Sequence, residues 1–149
     1  MIYIIENILP ILAATIAAYV FGAIYYSALS KPWMKASRIT PAEMHGASGF
    51  AKASPFIISF VAEFWMASIL AGALILAPVE AGVWTVAFGT AFILFIGFVF
   101  PTMAVNNAYS FRKPILTLID GVHWLGVLLI MAGVLRLIGV EGPDGPAMP

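Results

Sequence analysis

The sequence predicts an all-α integral membrane protein, a bundle of four transmembrane helices arranged as two helical hairpins. Of its 149 residues, 62% are hydrophobic and only 9% are charged, whereas about a quarter of the residues in a soluble domain are charged. Four apolar segments are long enough to cross the hydrocarbon core, which takes roughly 20 residues of helix. Because these segments exceed strand length and show no alternation of polar and apolar residues, they are predicted as helices and not as strands of a barrel.

The predicted spans cover residues 8–29, 55–77, 82–104 and 114–138 of a single membrane domain, residues 1–149. No Lys or Arg precedes the first apolar run, and the run is too long for a signal peptide, so we interpret it as a retained span. In the third span, Pro101 lacks a backbone N–H and is expected to kink the helix and to free a carbonyl near Gly97.

The connections between the spans differ in character. They are a polar, basic loop at 31–54, a tight turn at 78–81 and a short basic connection at 105–113, with a Gly/Pro/acid tail at the end. In the first loop, Thr40, Pro41 and Glu43 form a helix-capping pattern. Gly46 and Gly49 would end that helix within two turns. We therefore expect a short amphipathic helix here, lying on the inner membrane surface.

Basic residues predict the orientation of the chain. Of the seven Lys and Arg residues, all but Arg136 lie in the first and third connections. By the positive-inside rule, loops 31–54 and 105–113 are expected in the cytoplasm and both termini outside, in a bacterial inner membrane. The predicted interfacial anchors at the headgroup level are Trp33, Lys31, Lys35, Arg112 and Lys113.

Small residues at four-residue spacing predict how the helices meet. They are Ala14, Ala18 and Gly22 on the first span and Ser68 and Gly72 on the second. Helix association in lipid depends on close packing, which such faces allow. We expect these faces to hold the bundle together, with a homodimer seam as the alternative.

Polar side chains gather in the predicted cytoplasmic half of the bundle. Glu63 follows Pro55 by eight residues, and Asp120 and His123 follow Pro114 by six and nine. At about 1.5 Å per residue, the three side chains are expected at one depth, roughly 9–14 Å from the cytoplasmic ends of their helices. The predicted intramembrane polar cluster is Glu63, Asp120, His123, Tyr25, Tyr26, Asn106 and Asn107.

The acidic residues of this cluster need partners, because an unpaired charge inside a membrane costs at least a few kcal/mol. Asp120 and His123 are three residues apart, share one helical face and can pair directly. Glu63 has no such neighbour in its own helix, so its partner is expected on another helix, first among His123, Tyr25 and Tyr26.

Three hypotheses for the cluster remain open at this point. It is an interhelical hydrogen-bond network that fixes packing, or a proton or cation relay that opens to the cytoplasm. The third is a metal site formed by Asp120, His123 and Glu63, which is a workable ligand set. Because the D-x-x-H spacing often occurs by chance, no metal and no other cofactor is predicted.

Several functions are disfavoured by what the sequence lacks. It has no cysteine, which excludes disulfides and thiolate metal sites. It has no G-x-S-x-G, H-E-x-x-H or phosphate-binding loop, so an enzyme is not expected. The formal net charge of +0 gives no indication of nucleic acid as a partner.

Two stretches carry a resemblance to a known family: FGAIYYSALSKPWMK at 21–35 and GFVFPTMAVNNAYSFRKPILTLIDGVHWL at 97–125. They resemble a bacterial membrane family catalogued as domain of unknown function 1761. The matching positions are Gly22, Tyr26, Ser27, Lys31, Pro32, Trp33, Met34, Asn106, Lys113, Pro114, Ile119 and Asp120. Tyr25 stands where the family has Trp, and His123 where Tyr is usual. The resemblance covers roughly the whole chain and implies a four-span bacterial inner-membrane protein, but no activity.

Two classes of function follow from these observations. In the first, the protein is a small transporter or channel-like protein that acts as a homo-oligomer and handles protons or cations with its polar cluster. In the second, it is a non-catalytic accessory subunit or assembly factor of a larger membrane complex. In both classes, the protein is expected to be surrounded by the lipid bilayer.

Overall fold

Four helices long and apolar enough to cross a membrane form the body of the protein, as the sequence predicts. A computed structural model describes residues 2–40, 42, 49–142, 145 and 146. The spans, called first to fourth in chain order, are Ile8–Ala28, Phe50–Leu76, Val83–Tyr109 and Pro114–Ile138. The all-α class and the four-helix bundle are thereby confirmed, and the helices indicate a membrane location.

The second span begins earlier than predicted, at Phe50 and not at residue 55. Pro55 lies inside this helix, although proline usually favours the first turn. Its missing N–H would have bonded the carbonyl four residues back, which is that of Ala51. The Ser54 hydroxyl donates to that carbonyl at 3.3 Å instead. A side chain thus replaces the lost backbone donor, and the helix continues through the proline.

The third span differs from the prediction at its middle and at its end. A π-helical turn covers Phe95–Val99, and the Phe100 N–H donates to the Phe95 carbonyl, five residues back. This wider turn lies directly before Pro101 and contains Gly97, where the sequence predicts a disturbance. The helix then continues as Phe100–Tyr109, so only residues 110–113 connect it to the fourth span.

The first connection is shorter and more helical than the predicted loop at 31–54. A helix at Ser30–Ser37, here called the boundary helix, follows the first span almost directly. The Arg112 guanidinium donates to the Ser37 carbonyl at its end, and Arg38 adopts a left-handed conformation there. The amphipathic helix predicted from Thr40 to Gly49 falls largely outside the described residues.

The fourth span is the centre of the bundle, because each of the other three spans packs against it and its contact with the first span is the most extensive. In its most apolar stretch 44% of the residues are buried, compared with 11% in the third span. Of the small residues predicted to pack, Ala14, Ala18 and Ser68 are fully buried. A Cβ on Gly22 would lie 2.8 Å from His123 Nε2. These small residues let the spans approach closely.

The two ends of the chain meet at the end of the bundle away from the boundary helix. Asn7 joins the short helix Tyr3–Glu6 to the first span, and its side-chain amide donates to the Glu141 carbonyl and accepts from the Glu141 N–H, at 3.0 and 2.6 Å. Glu141–Gly142 pairs with Gly145–Pro146 as a two-residue antiparallel ladder. The Tyr3 hydroxyl donates to the Ser68 carbonyl, and Gly72 leaves room for its ring. This end is therefore tied together by hydrogen bonds.

Candidate functional site between the first and fourth spans

Asp120 is the centre of a hydrogen-bonded group near the boundary helix. Its Oδ1 accepts hydrogen bonds from the Tyr26 hydroxyl at 2.9 Å and from the Trp33 indole N–H at 3.1 Å. The two donors come from the end of the first span and from the boundary helix, which the Ala28-to-Ser30 junction places beside each other. Three separate elements are thus joined at one carboxyl group.

His123 lies one turn further along the fourth span and is enclosed by aromatic rings. Its ring centroid is 4.6 Å from that of Tyr26, 5.0 Å from Trp124 and 6.0 Å from Phe21, whose plane is within 7° of parallel. The side chain is 4% exposed, and its Nδ1 is buried without a hydrogen-bond partner. The imidazole is therefore surrounded by aromatic rings, and its Nδ1 forms no hydrogen bond with them.

Tyr25 completes this part of the site. Its hydroxyl donates to the Ile119 carbonyl at 2.8 Å, and its ring lies 5.6 Å from that of His123. Tyr25 and Tyr26 meet edge to face, 5.5 Å apart at an interplanar angle of 88°. Since both tyrosines are consecutive in one helix, their rings cover two sides of the imidazole.

Glu63 lies apart from this group, deeper in the bundle. The sequence placed it at the depth of His123 by counting from Pro55, but its helix begins at Phe50, which makes Glu63 the fourteenth residue of the second span. Contacts with the first span also place Glu63 deeper than His123. Gly22 packs against His123, whereas Tyr19, which is nearer the Ile8 end of that span, packs against Phe60, one turn before Glu63. Glu63 therefore lies one to two turns, about 6–10 Å, further in than His123, and the predicted single layer is wrong.

Glu63 is nevertheless buried, at 2% exposure, and its Oε2 has no hydrogen-bond partner. None of the partners expected from the sequence, which were His123, Tyr25 and Tyr26, forms a hydrogen bond with it. The predicted pairing of Asp120 with His123 is also absent. Asp120 is bonded by Tyr26 and Trp33 instead, because the Tyr26 side chain reaches it from the neighbouring helix.

The remaining predicted residues lie at the margin of the cluster. Asn107 donates to the Thr117 hydroxyl at 3.1 Å, which ties the third span to the fourth, and Asn106 is exposed. The anchors Lys31, Lys35, Arg112 and Lys113 are all exposed. Trp33, predicted only as an anchor, directs its N–H to Asp120. One signal in the sequence could have shown this. Lys31 and Lys35 are four residues apart and share one face of a helix, so Trp33, midway between them, lies on the opposite face.

One participant in the site, Phe21, and one residue at the opposite end of the bundle, Asn7, have no clear signal in the sequence. Phe21 stacks on His123 but is one of many phenylalanines in the chain, and Asn7 precedes the first span as an ordinary boundary residue. The three residues considered as metal ligands, Asp120, His123 and Glu63, do not converge. No group of three His, Asp or Glu side chains suited to a metal ion occurs in the described part of the chain.

The fold and the cluster define a class, the multi-span helical membrane proteins with titratable side chains inside their spans. Within this class, a family model described as "Protein of unknown function (DUF1761)" matches residues 9–136. The chain belongs to this family, and the resemblance drawn from its motifs is confirmed. Comparisons with curated proteins and with solved structures find no match.

Proposed function

We propose that this protein is a small membrane transporter that handles protons or other cations, with Glu63 and His123 carrying the proton inside the spans. The observation that carries the proposal is that each is buried with an unpartnered polar atom, Glu63 Oε2 and His123 Nδ1. A buried polar atom without a partner costs about 1–3 kcal/mol. A side chain kept only for packing would have a partner, or an apolar residue would stand in its place.

A packing network explains only part of the cluster. The hydrogen bonds of Tyr25, Tyr26 and Trp33 join the first span and the boundary helix to the fourth span, as a structural network would. Glu63 and His123 take no part in these bonds. Intramembrane ionisable residues commonly mark ion pathways and proton relays, and this role accounts for the two side chains that the network leaves out.

The depths of the three groups support stepwise transfer. Asp120 is nearest the boundary helix, His123 follows one turn further in, and Glu63 is one to two turns beyond it. A neutral imidazole accepts a proton at one nitrogen and donates from the other, which suits the middle position. Movement of side chains or of helices must bring the groups within hydrogen-bonding distance during transfer.

Proton flux in liposomes tests the proposal. The purified protein is reconstituted with a pH-sensitive dye inside, and an imposed potential drives protons inward. We expect flux above that of empty liposomes, reduced to that background by Glu63→Gln, which keeps the shape of the side chain and removes its titration. Asp120→Asn is expected to reduce the flux as well.

A matched control is Glu6→Gln, which changes an exposed carboxyl outside the four spans and should leave the flux unchanged. Thermal unfolding of each variant in detergent verifies folding. Flux that stays at wild-type level in Glu63→Gln would exclude Glu63 as a carrier of the proton. Wild-type liposomes that carry no proton or cation tested would exclude the transporter.

We propose a bacterial inner-membrane location, as the family resemblance implies. The basic residues support an orientation with the boundary helix and residues 110–113 on the cytoplasmic side and both termini outside. Because the sequence has no cysteine, single cysteines can report the side directly. We expect Ser110→Cys to react with an impermeant maleimide only after cells are opened, and Ala81→Cys to react in intact cells. The reverse pattern would invert the orientation.

A second candidate function is a non-catalytic accessory subunit of a larger membrane complex, favoured by the low burial of the third span. Its exposed large side chains include Phe92, Ile93, Ile96 and Phe98. If the protein is a transporter, this face of the third span contacts a second copy of the chain. If it is an accessory subunit, the same face contacts other subunits of the complex. Native mass spectrometry after mild solubilisation distinguishes them: a homo-oligomer supports the transporter, and a defined complex with other chains supports the subunit.

A further inference from the structure

We propose that Asp120, Tyr26 and Trp33 form a binding site for an organic ammonium ion, one that carries apolar substituents on its nitrogen. Because this ion would be a cargo of the cluster described above, the inference rests on the proposed transport function and names its substrate class.

The first observation is that the Asp120 carboxyl has no cationic partner. Both of its hydrogen-bond donors, the Tyr26 hydroxyl and the Trp33 indole, are neutral. No Lys, Arg or His of the described residues forms an ion pair with it, and His123, one turn away, makes none. Among the described residues this carboxyl therefore has no counter-charge, and a bound cation would supply one.

The second observation is the aromatic surroundings of this carboxyl. The rings of Tyr26 and Trp33, which both bond to Asp120, meet edge to face with centroids 5.9 Å apart, and Tyr25 lies against Tyr26. Ring faces attract cations, most strongly that of Trp, and such enclosures recognise substituted ammonium groups. The rings also provide apolar contact for alkyl substituents, which a small inorganic ion lacks.

The chemistry of the site distinguishes this ligand from a calcium ion. Ca²⁺ takes six to eight oxygen ligands, whereas Asp120, Tyr26 and Trp33 offer one carboxyl and one hydroxyl group, and that hydroxyl already donates to the carboxyl. An alkylammonium ion needs one negative charge and apolar walls. Asp120 and its rings are also partly exposed, beside the end of the first span, so a ligand dissolved in the membrane boundary can reach them.

Binding is tested with tetraethylammonium chloride as the probe, added to the full chain in detergent and followed by isothermal titration calorimetry, with sodium chloride at equal ionic strength as the reference titration. We expect saturable binding that is weakened roughly tenfold or more by Asp120→Asn, the ratio that loss of one charged contact produces. Asparagine retains an acceptor oxygen for Tyr26 and Trp33, so the variant keeps its local bonds.

The aromatic wall is tested separately. Trp33→Leu should weaken binding several-fold, whereas Trp84→Leu, which changes a half-exposed tryptophan at the start of the third span, should not. Absence of saturable binding, or equal binding by wild type and Asp120→Asn, would overturn the inference. Proton flux without tetraethylammonium binding rejects this site alone, and binding without any flux rejects the transport function while retaining the site.

Discussion

Replacement of Gly22 by alanine is the most direct perturbation of the site. The Cβ of the alanine would lie 2.8 Å from His123 Nε2, which is far inside van der Waals contact, so the imidazole or the first span must move. The imidazole has little freedom, because Phe21 stacks on it at 6.0 Å and the Tyr26 ring is 4.6 Å away. Its displacement therefore has to disturb the aromatic enclosure.

The magnitude follows from comparison with a glycine that has open space. Overpacking a well-packed interior costs about 1–3 kcal/mol, while alanine gains up to ~1 kcal/mol over glycine in helix propensity. Gly89→Ala in the third span gains helix propensity without overpacking, because the added Cβ meets no atom within 4 Å. The difference between the two variants isolates the overpacking, and we expect Gly22→Ala to be less stable by about 1–3 kcal/mol.

The free energy of unfolding is measured by titration with a denaturing detergent from a mild micelle. A double variant, Gly22→Ala with His123→Ala, should lose most of the penalty, since the colliding ring is removed. Equal stability of Gly22→Ala and Gly89→Ala would refute the close approach of the first and fourth spans at His123.

Two further substitutions probe the hydrogen bonds at the two ends of the bundle. Asn7→Leu leaves the Glu141 N–H and carbonyl without their partner, so we expect a loss of about 1–3 kcal/mol of unfolding free energy; the exposed Asn106→Leu is the control, and an equal loss in both would contradict the bond. Tyr26→Phe removes one donor to the Asp120 carboxyl and should destabilise by about 1.5–3 kcal/mol if that group is ionised. The same denaturing titration measures it, and unchanged stability would show that this bond contributes nothing to the fold.

The architecture was predictable because it depends on properties that are local along the chain. Length and apolarity define the spans in a bilayer whose interior offers no partner to a free backbone group. The fourth span, bounded by Pro114 and by Gly139, agrees with its prediction. The second span does not, because the Ser54 hydroxyl takes over the carbonyl that Pro55 leaves free, an effect that residue type alone does not indicate.

The members of the cluster were partly predictable, whereas their partners were not. Ionisable residues inside a span are visible in a sequence, so Glu63, Asp120 and His123 stand out without a structure. Which side chain bonds to which depends on the rotation of each helix and on its shift along its neighbour, and four residues of shift move a side chain by about 6 Å.

The sequence by itself determined the class of this protein, its four spans and its family, because hydrophobic length and motif spacing are properties of the chain in one dimension. Only the tertiary structure decided that Tyr26 and Trp33 bond to Asp120, that His123 is enclosed by rings, and that Glu63 lies deeper and unpartnered. These contacts join residues that are 87 and 94 positions apart in the chain. They exist only when the helices are packed, since the direction of each side chain is set by the helix and its distance to a partner by the packing.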